Sequence, residues 1–219
     1  ITESIGARRM GNAPATIDWL LTDSRSLNFP EETLFFALTT KRNDGARYIA
    51  DLYARGVRNF VLSEESFRLM DNGQLTIDNA MQRDDAQSIV NYLIVPNPLK
   101  ALQKLAEQHR NRFQIPVIGI TGSNGKTVVK EWLHQLLSPE RAIIRSPRSY
   151  NSQIGVPLSV WQMNEQSELA IFEAGISEPG EMRALHNIIK PTIGILTNIG
   201  GAHQENFFSL QEKCMEKLT

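Results

Sequence analysis

Residues 119–127 read Gly-Ile-Thr-Gly-Ser-Asn-Gly-Lys-Thr, directly after the apolar stretch Ile115–Ile120 and directly before Val128–Leu137, a run with helical spacing. A strand that turns through a glycine loop into a helix is a unit of α/β layers and a cradle for nucleotide phosphates. Loop N–H groups and the helix N-terminus face the anion; Lys126 can neutralise a terminal phosphate, and the Thr127 hydroxyl can ligate Mg²⁺. The strict G-x-x-x-x-G-K-[ST] pattern is not met, because Ile120 stands at the first glycine position and Gly122 is the loop glycine. The mechanical requirements are met nonetheless: small residues for close backbone approach, a lysine, and a hydroxyl where the helix starts. An ordinary glycine turn need not end in Lys-Thr, so the segment predicts an ATP site.

Composition narrows the field. The 219 residues allow one or two domains, and a formal net charge of −1 gives no general attraction to nucleic acid or membranes. Any anion site must therefore be local. With 41% hydrophobic and 21% charged residues, no apolar run of membrane-spanning length and no charged-then-apolar leader, the pattern is that of a cytoplasmic protein. Cys214 is the single cysteine, which excludes an intrachain disulfide and reads as a buried or incidental thiol. The chain opens on Ile1 and stops within the helical pattern Leu210–Leu218, so it is expected to be part of something longer.

Two patterns divide the chain. In the first, Thr33–Leu38 and Asn59–Leu62 read as strands and Ala46–Arg55 as a helix, which makes a small α/β unit. A polar stretch, Asp71–Gln87, precedes the apolar Leu93–Val95, and Pro96-Asn97-Pro98 punctuates the chain. The boundary is placed there, giving domains 1–96 and 97–219. Pro98 suits a first helical turn, and Leu99, Leu102, Leu105 and Ala106 share one face of a helix running to about Arg112.

From Ile115 onward, candidate strands Val117–Thr121, Ala142–Arg145, Leu169–Glu173 and Ile193–Thr197 alternate with candidate helices Lys126–Leu137, Gly180–Ile189 and Leu210–Leu218. Alternation of this kind predicts a mostly parallel sheet covered by helices, with ligands at the carboxyl ends of the strands. Glu173 ends one such strand, where its carboxylate either coordinates a metal shared with Thr127 or simply faces solvent. Its place in the same sheet as the phosphate loop favours the metal. His203, a lone histidine in a loop, gains weight only from its neighbours.

Taken together, four segments resemble the Mur ligases, the ATP-dependent amide-forming enzymes of peptidoglycan precursor synthesis: Ile120–Thr127, Tyr150–Leu158, Glu173–Met182 and Asn198–His203. Within that family, the Glu-x-Gly-x-x-x-x-Gly-Glu-Met form resembles the branch that adds D-Ala-D-Ala to UDP-N-acetylmuramoyl-tripeptide. Asp23-Ser24-Arg25, Pro30, Leu34–Leu38 and Asp44-Gly45 resemble that branch's N-terminal UDP-binding domain.

The resemblance implies that Gly122, Ser123, Asn124, Gly125 and Lys126 hold the β- and γ-phosphates of ATP, with Asn151 nearby. It implies that Thr127 and Glu173 ligate one Mg²⁺ and that His203 helps hold a second metal. Lys217 falls where the family carries a carbamylated lysine, with Lys213 as competitor, and Ser24 and Arg25 would meet the uridine diphosphate. Asp-Ser-Arg also has a simpler reading as a side-chain turn. The sequence departs from the family at Pro30-Glu31-Glu32, at Asp44-Gly45-Ala46 and at Asn206, and the family's C-terminal domain and the rest of its central domain lie outside it. A fragment inactive alone is therefore expected, and a fused downstream domain is compatible with it. A folate-type ligase of the same superfamily and a P-loop ATPase are the rival readings: the first should lack the Asp23-Ser24-Arg25 and Leu34–Leu38 segment, and the second would need no UDP-sugar and would hydrolyse ATP without an acyl acceptor.

Overall fold

A computed structural model describes residues 1–40, 43–71, 90–201 and 206–219. His203 and all but the first residue of the polar stretch Asp71–Gln87 lie outside the described residues. The fold is α/β, with two compact units, Ile1–Leu102 and Gln103–Thr219. The division falls inside a helix, Pro98–Arg110, whereas the sequence reading put the boundary at residue 96.

The first unit is built from α1 (Thr2–Ile5), β1 (Arg8–Met10), β2 (Trp19–Leu21), β3 (Thr33–Phe36), β4 (Thr39–Thr40), β5 (Asn43–Asp44), α2 (Ile49–Ala54), β6 (Asn59–Ser63), α3 (Glu64–Asp71) and β7 (Asn91–Val95), and it holds the start of α4 (Pro98–Arg110). Its main sheet has the order β1-β7-β6-β3-β2. All neighbours run parallel except β1, which pairs antiparallel with β7. Central strands of a parallel sheet are covered on both faces, and Leu34, Phe35, Phe36, Phe60, Val61 and Leu62 are accordingly almost fully buried.

The expected strands and helix are present, with their ends shifted. Asp44 accepts from Ala46 N at 3.0 Å, so the predicted helix Ala46–Arg55 opens as a 3₁₀ turn, Gly45–Tyr48, before α2. The strands β1 and β2 and the helices α1 and α3 were not expected. Arg8-Arg9-Met10 has no strand-like alternation of apolar residues; it is an edge strand, where charge is normal, and Arg9 Nη2 donates to Asn91 Oδ1 at 2.7 Å.

The second unit carries β8 (Val117–Thr121), α5 (Lys126–Leu137), β9 (Ile143–Arg145), α6 (Gly155–Val160), β10 (Leu169–Glu173), α7 (Glu181–Ile189), β11 (Ile193–Leu196) and α8 (Leu210–Lys217). Its sheet, β11-β8-β10-β9, is parallel throughout, as the alternating pattern predicts. Each strand side chain alternates between faces. Ile118, Ile120, Leu169 and Ile171 form one cluster with Val129, Leu133 and Leu137 of α5. Val117, Ala170 and Phe172 point the other way, into a core with α6 and α7. By the same parity Glu173 shares the face of Leu169 and Ile171, so its carboxylate is aimed at α5. The helix α6 was missed because it is only six residues long and contains Pro157.

Phe60 is fully buried, edge-on to Phe35 at 6.4 Å and stacked on Tyr92 at 5.9 Å between ring centroids. Phe60→Ala should destabilise the first unit by about 3–5 kcal/mol in urea unfolding followed by circular dichroism, and a loss below about 1 kcal/mol would contradict this packing.

Candidate active site

The strand β8 delivers the chain into a loop that only glycine can make. Gly122 has φ +138°, and a Cβ there would come within 2.0 Å of Thr197 Oγ1. Gly125, at φ +81°, caps α5 with no side-chain hydrogen bond. The first N–H groups of the helix, those of Lys126 and Thr127 among them, therefore have no intrahelical partner and form an anion-facing end.

Two other loop amides are already used. Asn198, after β11, accepts from Ser123 N through its carbonyl oxygen and from Asn124 N through Oδ1, both at 2.9 Å. Ser123 Oγ exchanges hydrogen bonds with Gly200, and Thr197 Oγ1 donates to Asn124 O at 2.6 Å. The segment 197–200 thus fixes the loop from behind. This latch was not foreseen, since Asn198 stood out only as part of a longer motif.

Glu173 is wholly buried, which removes the reading of a solvated strand end. Its Oε2 accepts from Thr127 Oγ1 at 3.1 Å and from Asn151 Nδ2 at 3.3 Å. Ser149 Oγ lies 3.3 Å from the same Thr127 hydroxyl. A carboxylate and two hydroxyls meeting beside a phosphate loop form a hard oxygen donor set of the kind that suits Mg²⁺, which binds through one or two carboxylates plus phosphates and water. Glu173 Oε1 faces inward, 2.9 Å from the ammonium of Lys130, without the alignment of a hydrogen bond. Lys130 was missed because a lysine in a helical pattern is ordinarily assigned to the wet face. Its spacing of three from Leu133 and seven from Leu137 places it on the buried stripe.

The loop, Lys126, Asn151 and Lys217 line one cleft of about 120 Å³. Lys126 Nζ rests on Gly122 O at 2.8 Å. Burial lowers the pKa of Lys126, the Glu173 carboxylate opposes that shift, and the charge of Lys213 adds to it. Lys217 is also buried and is pushed down to about 8, first by burial and then by the charges of Lys126 and Lys213. Lys213, still more deeply buried, donates to Gly200 O at 2.6 Å and so braces the latch. The structure places Lys126, Asn151 and Lys217 on the wall of one cleft and joins Thr127 and Asn151 to Glu173 by hydrogen bonds.

Ser24 and Arg25 belong to the first unit. Asp23 accepts from Arg25 N at 3.0 Å and holds the Arg25 guanidinium at 2.6 Å, so the triplet does form the local side-chain turn. The Arg25 side chain is 87% exposed.

A parallel α/β sheet with a phosphate-type loop after its central strand and a buried carboxylate at the end of the adjacent strand defines a P-loop domain. Residues 120–218, most of the second unit, match the Mur ligase middle domain. It is 34% identical to the UDP-N-acetylmuramoyl-tripeptide–D-alanyl-D-alanine ligase of Borreliella burgdorferi, over 94% of this chain and 43% of that protein. The Bacillus subtilis enzyme of the same description is 30% identical, over 92% and 40%. A crystal structure of MurF from Acinetobacter baumannii superposes with a TM-score of 0.80 at 26% identity, covering 99% of this chain and 44% of that one. The Thermotoga maritima MurF ligase, solved in complex with ADP, gives 0.72 at 26%, covering 91% and 42%. The chain spans about two fifths of the length of these relatives.

The lysine cluster makes stability depend on pH. The unfolded chain keeps the Lys217 proton up to the ordinary value of 10.5, whereas the folded chain releases it near 8. Within that window the unfolded state binds more protons, so rising pH favours folding. Relative to Lys217→Met, the unsubstituted chain should gain stability between about pH 8 and about pH 10 in denaturant titrations; parallel curves would contradict the lowered pKa.

Proposed function

We propose that this chain supplies the UDP-sugar-binding and ATP-binding parts of a ligase that joins D-Ala-D-Ala to UDP-N-acetylmuramoyl-tripeptide. The observation that carries the reading is the buried Glu173 carboxylate, 3.1 Å from the Thr127 hydroxyl beside the glycine loop, inside a Mur ligase middle domain. The likeness to the D-alanyl-D-alanine ligases supports the substrates, and the ADP complex of the Thermotoga relative supports ATP.

A carboxylate does not acylate an amine at neutral pH, because its oxygen is a poor leaving group. In the proposed reaction a tripeptide carboxylate oxygen attacks the γ-phosphorus of ATP, the bond to the β-phosphate oxygen breaks, and ADP leaves. The amine of D-Ala-D-Ala then attacks the carbonyl carbon of the acyl phosphate. Inorganic phosphate departs, the nitrogen loses a proton, and an amide remains. Catalysis of the first step is mainly positioning and charge neutralisation.

Lys126 would exchange its bond to Gly122 O for the γ-phosphate, and the N–H groups at the start of α5 would hold the phosphate oxygens. Gly122, Ser123, Asn124 and Gly125 shape that cradle. Thr127 and Glu173 would hold Mg²⁺, which neutralises phosphate charge when bound, and Asn151 would orient the Glu173 oxygen that faces it. Lys217 and His203 are proposed for a second metal, and Ser24 and Arg25 for the uridine diphosphate. The described helices include none long and apolar enough to cross a membrane, and a cytoplasmic address is part of the proposal.

In the full-length ligase, Lys126→Ala should lower kcat by about 10²–10³-fold in an assay of ADP release with both substrates present; turnover near the unsubstituted level would refute the assignment. The 219-residue chain alone should form no amide product, as judged by mass spectrometry, and ligation by it would refute its reading as a partial enzyme.

A further inference from the structure

Among the described residues of the second unit, Lys130 is the most deeply enclosed cation. It lies one turn beyond Lys126 on α5, has no exposed surface, and donates to Ser146 O at 2.8 Å and to Arg148 O. Its ammonium also stands 2.9 Å from Glu173 Oε1 and 3.3 Å from Glu131 Oε1. A buried ion pair is a poor source of stability, since apolar side chains of similar volume often do as well or better. Its occurrence at the carboxylate that accepts from the Thr127 hydroxyl calls for a different explanation.

The two oxygens of Glu173 are not equivalent. Oε1 faces Lys130, and Oε2 faces Thr127 and Asn151. The carbonyls that Lys130 grips belong to Ser146 and Arg148, the start of the segment that carries Ser149 and Asn151 to the same point. Ser146 Oγ also accepts from Glu173 N at 3.1 Å, which ties that segment to the end of β10. Arg148 takes φ +49°, in the left-handed region where a side chain other than glycine is strained, so this turn needs an external hold.

We propose that Lys130 is a positioning residue for divalent-metal binding. It pins Oε1, so that Glu173 presents Oε2 alone beside the Thr127 hydroxyl, and it sets the turn that brings Ser149 and Asn151 to that oxygen. The inference rests on the reading of Thr127 and Glu173 as Mg²⁺ ligands and adds a residue that works through them.

The test is binding of a fluorescent ADP analogue to the 219-residue chain, titrated with Mg²⁺ and repeated in EDTA, with circular dichroism as the check on folding. Lys130→Met should weaken the apparent Mg²⁺ affinity by about tenfold or more while leaving binding in EDTA within about twofold, because supporting residues behind metal ligands carry effects of that size. An unchanged Mg²⁺ dependence with a lowered melting temperature, or equal losses with and without metal, would overturn the proposal in favour of a purely structural lysine. If Lys130→Met does not fold, Lys130→Gln keeps an amide donor for the carbonyls, leaves Glu173 without its cation, and should show the same selective loss. Failure of both to fold would also assign Lys130 to structure alone. If the unsubstituted chain gains nothing from Mg²⁺, the metal reading itself fails, and this proposal with it.

Discussion

Everything at the site follows from one costly placement, a carboxylate buried at the end of a central strand. Glu173 is fully removed from water, and an isolated charge there would be prohibitive. It is matched on both sides, by the Lys130 ammonium inward and by the Thr127 hydroxyl and Asn151 amide outward. Those partners come from α5 and from the turn after β9. One charge therefore dictates how the first turns of the helix and that turn must lie.

The glycine loop meets the same demand from its other side. Gly122 allows Thr197 to approach where a Cβ would collide, and Asn198 then takes two loop amides that would otherwise seek other partners. What remains is the helix end itself, with the Lys126 side chain folded back on the loop carbonyl. A loop held this way has little left to rearrange when an anion arrives, which is how preorganised electrostatic sites work. The crowding of Lys126, Lys213 and Lys217 also has its reason here. The charge of Lys213 helps lower the proton affinity of Lys126, the charges of Lys126 and Lys213 help lower that of Lys217, and the cluster favours an anionic occupant.

Much of the second unit was legible in the sequence because two signals agreed along it. Apolar runs such as Val117–Thr121 and Leu169–Glu173 gave strands, and Gly122 and Gly125 marked the turn where backbone freedom is needed. The first unit was read less completely. Its edge strand Arg8–Met10 is defined by pairing with Tyr92, Leu93 and Ile94, a long-range contact that no local pattern announces. Lys130 was invisible for a related reason: its charge argued for solvent, although its helical spacing puts it in line with Leu133 and Leu137, and the parity of β10, which aims Glu173 at α5, gives the buried ammonium its partner. His203, which drew its weight only from its neighbours in the sequence, lies outside the described residues, so the second-metal idea rests on sequence and on Lys217.

The central claim is that the loop, Lys126, Thr127 and Glu173 form one metal–nucleotide site. A crystal structure of the chain grown with Mg²⁺ and a non-hydrolysable ATP analogue tests it most directly. The account predicts the phosphates at the start of α5, Lys126 Nζ moved from Gly122 O onto a phosphate oxygen, and the metal between Thr127 Oγ1 and Glu173 Oε2. A nucleotide bound elsewhere, with Lys126 still on its loop carbonyl and Glu173 still closed on Thr127, would contradict it.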